Sequence, residues 1–353
     1  MKIIRITTFL DFGGQEKKYI SFSECKSLLK NDYVFAAIGH GGFAQKTIQA
    51  NGFRVEVFNQ NPSIYNLKNI WMLYKWFRKE KPDVVHTAAA EANFHGVIAA
   101  RLAGVKVVLA EEIGFPNHSP LARKVFGFVY KFVKKVICVS KSVKGFLIEI
   151  KEIDANKGVV VYNPVSVPKF FEKITPEDFT IVCVGRLEKV KNQQLLIKAF
   201  SELENKKSKL ILVGDGRERS ALETLIKELQ LEDRVIITGF SKEPEFFLAQ
   251  AHLFVLSSLT EGFGIAVVEA MQQGLPCLCS NVGGIPEFIE EGKTGWLFNP
   301  NNEGELAEKL KTIANLPLSE LEKVGSTAKT FTADRFTSEK YVINLENLYQ
   351  ESL

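Results

Sequence analysis

Several features are scarce in this chain of 353 residues, and each scarcity excludes a class of protein. No uncharged apolar run reaches the length of about 18 residues that a bilayer requires, so the sequence predicts no membrane-spanning helix. The first residues, Met1–Ile6, are too few and too polar for a secretory signal, so we expect a cytoplasmic protein. The 5 cysteines are odd in number and lie mostly in apolar runs, so we expect reduced core thiols.

Charge is nearly balanced as well. The formal net charge is +4, which is too small for bulk electrostatic binding of nucleic acid, so we expect no nucleic-acid partner. The 5 histidines show no zinc-like spacing, and Cys277 and Cys279 are too close together for an ordinary metal pair. The sequence therefore predicts no metal site.

Short β-rich runs alternate with helical patterns along almost the whole chain. In the first half they are Lys2–Thr8, Tyr33–Ile38, Phe53–Phe58, Asp83–Thr87, Lys106–Ala110, Lys135–Ser140 and Val159–Tyr162. The alternation then pauses and resumes with Phe179–Val184, Lys209–Val213, Arg234–Thr238, Leu253–Ser257 and Pro276–Ser280. Such alternation predicts α/β architecture, with parallel sheets covered by helices on both faces.

The pause marks a predicted domain boundary. Asn163–Pro168 contains two prolines and Glu172–Asp178 is polar, which is typical of a linker. We therefore predict two doubly wound, Rossmann-like domains, residues 1–165 and 166–335, followed by a helical segment, residues 336–353. Because ligands of such sheets bind beyond the carboxyl ends of the strands, we expect the two domains to face one cleft.

The most informative segment is Leu259–Met271. Two carboxylates, Glu261 and Glu269, flank a Gly-Phe-Gly turn that joins a predicted buried strand to an apolar helix. A helix N-terminus offers unpaired N–H groups and about half a positive charge, so it suits a phosphate. Carboxylates accept hydrogen bonds from sugar hydroxyls. The segment therefore predicts a pocket for a phosphorylated sugar or a nucleotide.

Three further loops contain glycines at a predicted strand end. Gly185-Arg186-Leu187, with Lys191 nearby, combines a rigid fork of donors with a mobile point charge and suits a diphosphate. A solvated basic loop is the alternative. Paired glycines at Gly13-Gly14 let backbone approach a ligand closely at a helix start, although an ordinary turn would be preferred without the other motifs. Gly283-Gly284 can adopt unusual φ/ψ, and a purely structural loop is the alternative there.

These segments resemble the retaining glycosyltransferases of family 4, which have the two-domain GT-B architecture. Glu261 and Glu269 match the Glu-x7-Glu motif of that family, and Gly185-Arg186-Leu187 with Lys191 matches its diphosphate site. Further matches are Gly13-Gly14 with Glu16, Val213–Gly216, Gly283–Glu287 and Gly292–Leu297. The similarity covers essentially the whole chain and is more specific in the C-terminal half.

The resemblance implies a role for each matched residue. Glu269 would hold the ribose of a UDP-sugar or GDP-sugar, and Glu261 would contact the donor sugar. Arg186 and Lys191 would neutralise the leaving diphosphate in a front-face displacement that needs no protein nucleophile. The other residues that it assigns to the donor site are Gly13, Gly14, Gly185, Phe263, Gly264 and Ile265.

The resemblance also implies the roles of the two domains. Residues 1–165 would bind a glycan or lipid-linked acceptor, residues 166–335 would bind the nucleotide-sugar, and the C-terminal helix would return to the N-terminal domain. We expect a metal-independent hexosyl- or other glycosyltransferase of cell-envelope polysaccharide biosynthesis, because the sequence lacks the Asp-x-Asp motif of metal-dependent enzymes. No cofactor is expected besides the donor substrate.

The chain departs from the family pattern in two places. The family's histidine in the N-terminal domain is missing, since the matching strand end reads Leu109–Gly114, and Ser166 replaces an aspartate after the linker. Glu111, Glu112 or His86 could therefore contact the acceptor or the sugar. The alternatives are a solvated strand end for the two glutamates and a structural role for the histidine.

Pro120–Leu147 is rich in lysines and aromatic residues. Aromatic residues in the core and lysines in solvent would explain the segment. The alternative is a patch that binds the anionic inner face of a membrane, which would suit a lipid-linked acceptor.

Two other functions also stay open. Gly39–Ala44 fits a loose dinucleotide-binding fingerprint of an oxidoreductase, and the missing histidine would suit a non-catalytic relative that binds sugar nucleotides.

Overall fold

A computed structural model describes residues 1–11, 13–165, 171 and 176–353, with the side chain of residue 303 excepted. Ser166 and most of the predicted linker lie outside the described residues, as does Phe12. The chain divides into two compact units, of which unit 1 comprises Met1–Ser166 and Phe336–Leu353, and unit 2 comprises Val167–Arg335. The roles that the sequence analysis assigns to the two domains stay predictions.

Unit 1 is built on a seven-stranded parallel sheet with the order β3-β2-β1-β4-β5-β6-β7. The strands are β1 Lys2–Thr7, β2 Asp32–Ala37, β3 Arg54–Val57, β4 Val84–Ala88, β5 Val107–Glu112, β6 Lys135–Cys138 and β7 Gly158–Val160. The helices are α1 Gly14–Glu24, α2 Phe43–Ala50, α3 Lys68–Glu80, α4 Ala90–Leu102, α5 Pro120–Val129, α6 Lys141–Glu149 and the C-terminal α13 Ser338–Glu351.

Strand order sorts these helices into two layers. The chain moves from β3 to β4, β5, β6 and β7 in one direction across the sheet, so right-handed crossovers put α3, α4, α5 and α6 on one face. The crossovers from β1 to β2 and β3 run the other way, and α1 and α2 therefore cover the opposite face. Helix α13 joins α1 there, because Tyr341, Leu345 and Tyr349 are buried in the same core as Phe22. The predicted return of the C-terminal helix is confirmed.

Unit 2 is built on a six-stranded parallel sheet with the order β10-β9-β8-β11-β12-β13. The strands are β8 Thr180–Val184, β9 Lys209–Val213, β10 Val235–Gly239, β11 Leu253–Leu256, β12 Cys277–Ser280 and β13 Trp296–Phe298. The helices are α7 Gln193–Ser201, α8 Arg219–Glu228, α9 Pro244–Leu248, α10 Ile265–Gln272, α11 Glu303–Ala314 and α12 Leu318–Ala333. Strand β13 was not predicted, although the equally short β7 was.

Both sheets read as continuous apolar runs because helices cover both of their faces. In β1, for example, Ile3 points to one face and Ile4 and Ile6 point to the other, yet all three are fully buried. The predicted α/β class with two doubly wound sheets is confirmed. All 5 cysteines are buried and free, as expected for core thiols. None of the helices in the described part of the chain combines the length and the apolar character that a membrane span requires.

Candidate functional site

The candidate site of unit 2 lies where the strand order of its sheet reverses. From β8 the chain proceeds to β9 and β10 on one side and then returns to β11 on the other side, so β8 and β11 are neighbours. Their pairing is parallel, with Phe254 opposite Val182, which brings the loops that follow both strands to the same edge. Such a switch point is where doubly wound sheets bind their ligands.

Two predicted site residues meet at this edge. The Lys191 Nζ atom lies 2.5 Å from Oε1 of Glu261. The same oxygen accepts a hydrogen bond of 2.7 Å from the hydroxyl of Ser258. Both charged side chains are mostly buried, with 21% of Lys191 and 11% of Glu261 exposed. The sequence identified the two charges, but neither their direct pairing nor the contribution of Ser258.

Backbone contacts hold the two loops together. The Ser257 hydroxyl donates to the carbonyl oxygens of Lys191 and Asn192 at 3.1 and 2.9 Å. The Leu259 N–H donates to the carbonyl of Val190 at 2.8 Å. Asn192 has a φ of 50°, in the left-handed region that asparagine tolerates, and α7 begins directly after it. Lys191 is thus held at a sharp turn between strand β8 and helix α7. Serines at the end of a predicted strand were the sequence signal for these contacts.

Arg186 lies on the same edge, on the loop after β8, with its side chain exposed. Its carbonyl oxygen accepts a hydrogen bond of 2.9 Å from Nε2 of Gln193, which fixes the backbone at this point. No carboxylate among the described residues forms an ion pair with the guanidinium. A Cβ atom added at Gly185 would meet no atom within 4 Å, so open space borders this loop. The edge therefore offers two cations, one paired and one solvated.

The neighbouring loop after β9 approaches this backbone closely. Gly214 has a φ of 153°, and a Cβ atom there would lie 2.0 Å from the carbonyl oxygen of Gly185. The Leu187 N–H also donates to the carbonyl of Asp215 at 3.0 Å. The Val213–Gly216 match is therefore explained by packing, because only a glycine allows this approach.

Helix α10 begins at the end of the loop after β11. Gly264 precedes it with a φ of 98° and a ψ of 55°, a conformation that strains any other L-residue. The Phe263 side chain is buried against Phe288 at 5.5 Å between ring centroids, so only its backbone is available to a ligand. Ile265 and Glu269 lie four residues apart on one face of α10. Glu269 is half-buried there on the second turn.

The glycines of unit 1 lie at the corresponding edge of its sheet. Gly13 precedes α1 with a φ of 156°, and a Cβ atom there would lie 2.3 Å from Oε2 of Glu16. Gly14 is the first residue of α1. The switch point of this sheet lies between β1 and β4, and the Thr8 hydroxyl bridges it by donating to Glu91 at 3.1 Å.

The three candidate acceptor contacts lie elsewhere, in the interior of unit 1. Glu111 is fully buried and pairs with the ammonium of Lys18, and its Oε2 lies 3.2 Å from Nε2 of His86. The other ring nitrogen of His86 lies 2.7 Å from the hydroxyl of Tyr349 on α13. Glu112 is buried as well, so the solvated strand end is wrong for both glutamates. Side chains that are fully enclosed in this way do not present a surface to an acceptor, and a structural role explains all three.

Burial governs the charges of this interior. It lowers the pKa of His86 to about 4, so the imidazole is neutral near pH 7. It also opposes ionisation of Glu111, but Lys18, His86 and Arg5 together outweigh burial and hold the pKa of that carboxyl well below its usual range. Glu112 accepts hydrogen bonds from Tyr130 and Asn93, yet burial raises its pKa to about 7. The carboxyl end of β5 therefore contains one ionised carboxyl and one that is about half protonated near pH 7.

Metal ligation finds no support within residues 1–11, 13–165, 171 and 176–353, where no three His, Cys, Asp or Glu side chains are grouped to hold an ion. The expectation of a metal-independent site stays a prediction.

Comparisons with known families match both units. Residues 167–331 match the family described as glycosyl transferases group 1, and residues 31–168 match glycosyltransferase family 4. The UDP-Gal:alpha-D-GlcNAc-diphosphoundecaprenol alpha-1,3-galactosyltransferase of Escherichia coli is 29% identical over 311 residues, or 81% of this chain and 80% of that protein. The N-acetyl-alpha-D-glucosaminyl L-malate synthase of Bacillus anthracis is 32% identical over 57% of this chain and 56% of its own length.

Solved structures share the fold of the whole chain. Anabaena Alr3699/HepE in complex with UDP superposes with a TM-score of 0.86 at 23% identity, over 99% of this chain and 100% of that one. A glycosyltransferase from Rickettsia africae also gives a TM-score of 0.86, at 21% identity, over 99% of this chain and 98% of that one. The described units therefore have the fold of these proteins.

Proposed function

Because the chain belongs to the group 1 glycosyltransferases, with the GT-B fold, we propose that it moves a sugar from a nucleotide diphosphate-sugar to an acceptor with retention of anomeric configuration. One observation carries the proposal. Lys191 pairs with Glu261 at the switch point of unit 2, Arg186 lies on the loop after β8 at the same edge, and α10 begins four residues after Glu261. Cations and a helix N-terminus both suit a diphosphate, and the Glu261 carboxylate suits a sugar.

The proposed mechanism assigns the hardest step to the cations. Breaking the anomeric C–O bond leaves negative charge on the diphosphate, and Arg186 and Lys191 stabilise that charge as it develops. Each charge-assisted hydrogen bond contributes about 1.5–3 kcal/mol. The leaving phosphate takes the acceptor proton in a front-face displacement, so no protein nucleophile and no metal ion is required. Glu269 holds the ribose from the same face of α10 as Ile265.

The substrates follow from relatives and from this site. The Escherichia coli galactosyltransferase is named for a UDP-sugar donor and a diphosphoundecaprenol-linked acceptor. We propose a UDP-sugar or GDP-sugar donor for this chain, a glycan or lipid-linked acceptor, and a role in cell-envelope polysaccharide biosynthesis. The enzyme would then work in the cytoplasm as a peripheral protein of the inner membrane face. The loop after β2, Gly39–Ala44, belongs to unit 1 of this family fold, so an oxidoreductase is not proposed.

The first test is binding of the donor to the full chain. A thermal-shift panel of UDP-sugars and GDP-sugars, without added metal, should raise the unfolding midpoint for one base and one sugar, because a ligand stabilises the state that binds it. Arg186→Ala and Glu269→Ala should lose this shift. Lys189→Ala and Glu228→Ala are matched controls on exposed positions and should keep it.

The second test is transfer. Incubation of the ranked donor with lipid-linked and glycan acceptors should release the nucleoside diphosphate, and NMR of the product should show an α-linkage from an α-linked donor. Inversion would contradict the retaining mechanism. Donor binding without transfer or hydrolysis under any acceptor would favour the non-catalytic relative instead. Absence of any nucleotide-sugar binding would reject the proposal.

A further inference from the structure

Helix α5 of unit 1 exposes large apolar side chains. Leu121 is 73% exposed and Phe128 is 61% exposed, although Phe126 and Val129 already bury the inner face of the helix. Phe132 directly follows α5, and its ring lies 5.0 Å from that of Phe128. The predicted division into core aromatics and solvated lysines is therefore wrong for Phe128 and Phe132. Phe128 and Phe132 are contiguous, and contiguous exposed apolar side chains mark interaction sites.

The charge around α5 has one sign. No acidic residue occurs between Glu112 and Glu149, whereas 7 basic residues do. Of these, Arg123, Lys124, Lys131 and Lys134 are exposed on or just after α5. The segment that carries these exposed apolar side chains thus has exposed cations and no carboxylate.

Helix α3 repeats this combination, which the sequence analysis did not recognise. No acidic residue occurs between Glu56 and Glu80, and Lys68, Lys75, Arg78 and Lys79 are exposed. Trp71 is 59% exposed and stacks on Tyr74 at 4.9 Å, with the Lys75 ammonium 5.2 Å from its ring. Leu67 and Tyr65 just before the helix are exposed too.

The two helices lie in the same layer of unit 1. Helices α3, α4 and α5 all cross over the same face of the sheet, where α3 packs on α4 and α4 packs on α5. Helix α4 is mostly buried between its neighbours. The exposed residues of α3 and α5 therefore project from one helical layer, on either side of α4.

We propose that the exposed faces of α3 and α5 form a docking surface for an anionic lipid bilayer. The phosphates of such a bilayer complement the cations, and its interface accommodates leucine, phenylalanine and especially tryptophan and tyrosine side chains. Lysine stems cover apolar surface while their ammonium groups reach the headgroups. Nucleic acid would use the cations but not the exposed Leu121. A lipid-linked acceptor lies in a membrane, so an enzyme that uses one needs such a surface, and in that respect the inference rests on the proposed function.

The test is sedimentation of the full chain with vesicles of phosphatidylcholine, with and without phosphatidylglycerol. Binding should require the anionic lipid and should weaken at high salt, because counterions screen surface charge. A basic residue near the surface contributes about fivefold to partitioning, so Lys124→Glu with Lys131→Glu should lower it more than about 25-fold. Phe128→Ser with Leu121→Ser and, separately, Trp71→Ser should weaken it as well.

Matched controls lie on other surfaces. Lys227→Glu on α8 and Ile343→Ser on α13 change exposed residues of the same types and should bind vesicles like the wild type. The proposed docking surface would be rejected if the wild-type chain bound neutral and anionic vesicles equally. It would also be rejected if the α3 and α5 variants folded and bound vesicles as strongly as the wild type. The salt dependence of the wild type needs no variant and decides the case if one misfolds. The nucleotide-sugar thermal shift is measured in parallel, so loss of donor binding with intact sedimentation would reject the proposed function alone.

Discussion

The Lys191 ammonium and the Glu261 carboxylate, 70 residues apart in the chain, lie 2.5 Å from each other at the end of two neighbouring strands. The pair fixes the ammonium against the loop that leads into α10 before any ligand arrives. Preorganisation of this kind reduces the reorganisation that the protein must undergo when charge develops on a leaving group.

Replacement of the cation should therefore impair the chemical step. We expect Lys191→Ala to lower kcat by about 100-fold or more, because removal of one preorganised donor has an effect of that size. The change in KM should be smaller, since the interaction strengthens in the transition state. Steady-state kinetics with the ranked donor measures both. Lys189→Ala, an exposed neighbour, should stay within about twofold of the wild type, and an equal loss in both variants would contradict the role of Lys191.

Alanine at Gly185 and alanine at Gly264 should affect the protein in different ways, the first by filling ligand space and the second by straining the backbone. Alanine at Gly185 meets open space, so Gly185→Ala should keep the unfolding midpoint but weaken donor binding by occupying the edge of the site. Alanine at Gly264 must adopt a φ near 98° and would contact Ile285 at 3.2 Å, so Gly264→Ala should cost about 1–2 kcal/mol of stability and also weaken the donor. Calorimetry and donor titration of each variant provide the comparison. Unchanged donor affinity in Gly185→Ala would remove the loop after β8 from the site.

The buried pair of Lys18 and Glu111 should tolerate loss of both charges better than loss of one. Lys18→Met leaves an unpaired carboxylate in the core and should destabilise unit 1 by about 3–5 kcal/mol. Lys18→Met with Glu111→Gln removes the stranded charge and should recover part of that loss. Hydrogen exchange in β1, β4 and β5 reports the stability of this unit separately from unit 2. A double variant less stable than the single one would contradict this electrostatic account.

Glu112 should make stability fall as pH rises. Its pKa in the folded chain is about 7, above the ordinary value of 4.5, so the folded state retains a proton that the unfolded state loses. Between these two pH values the free energy of unfolding should decrease, by up to about 3 kcal/mol in total. Glu112→Gln imitates the protonated side chain and should remove this slope. Glu149→Gln, at an exposed position, should leave it unchanged, and equal slopes in wild type and Glu112→Gln would contradict the assignment.

Local pattern was sufficient for most of the fold. Apolar runs predicted the strands of both sheets to within a few residues, because strands buried on both faces must be apolar throughout. Glycines with neighbouring charges predicted the loops after β8 and β11, since a backbone that approaches a ligand closely needs them. Local pattern also predicted the amphipathic C-terminal helix, whereas β13 was missed.

Spatial packing decided what each charge does. Glu111 and Glu261 both follow apolar runs and look alike in the sequence, yet Glu111 is sealed against Lys18 and His86 while Glu261 meets Lys191 at an open edge. The difference arises because α1 and α13 cover Glu111. These helices come from opposite ends of the chain, so the sequence around Glu111 does not indicate that they pack over it. The same reason applies to α3 and α5, whose basic faces are brought into one layer by crossovers through a shared sheet.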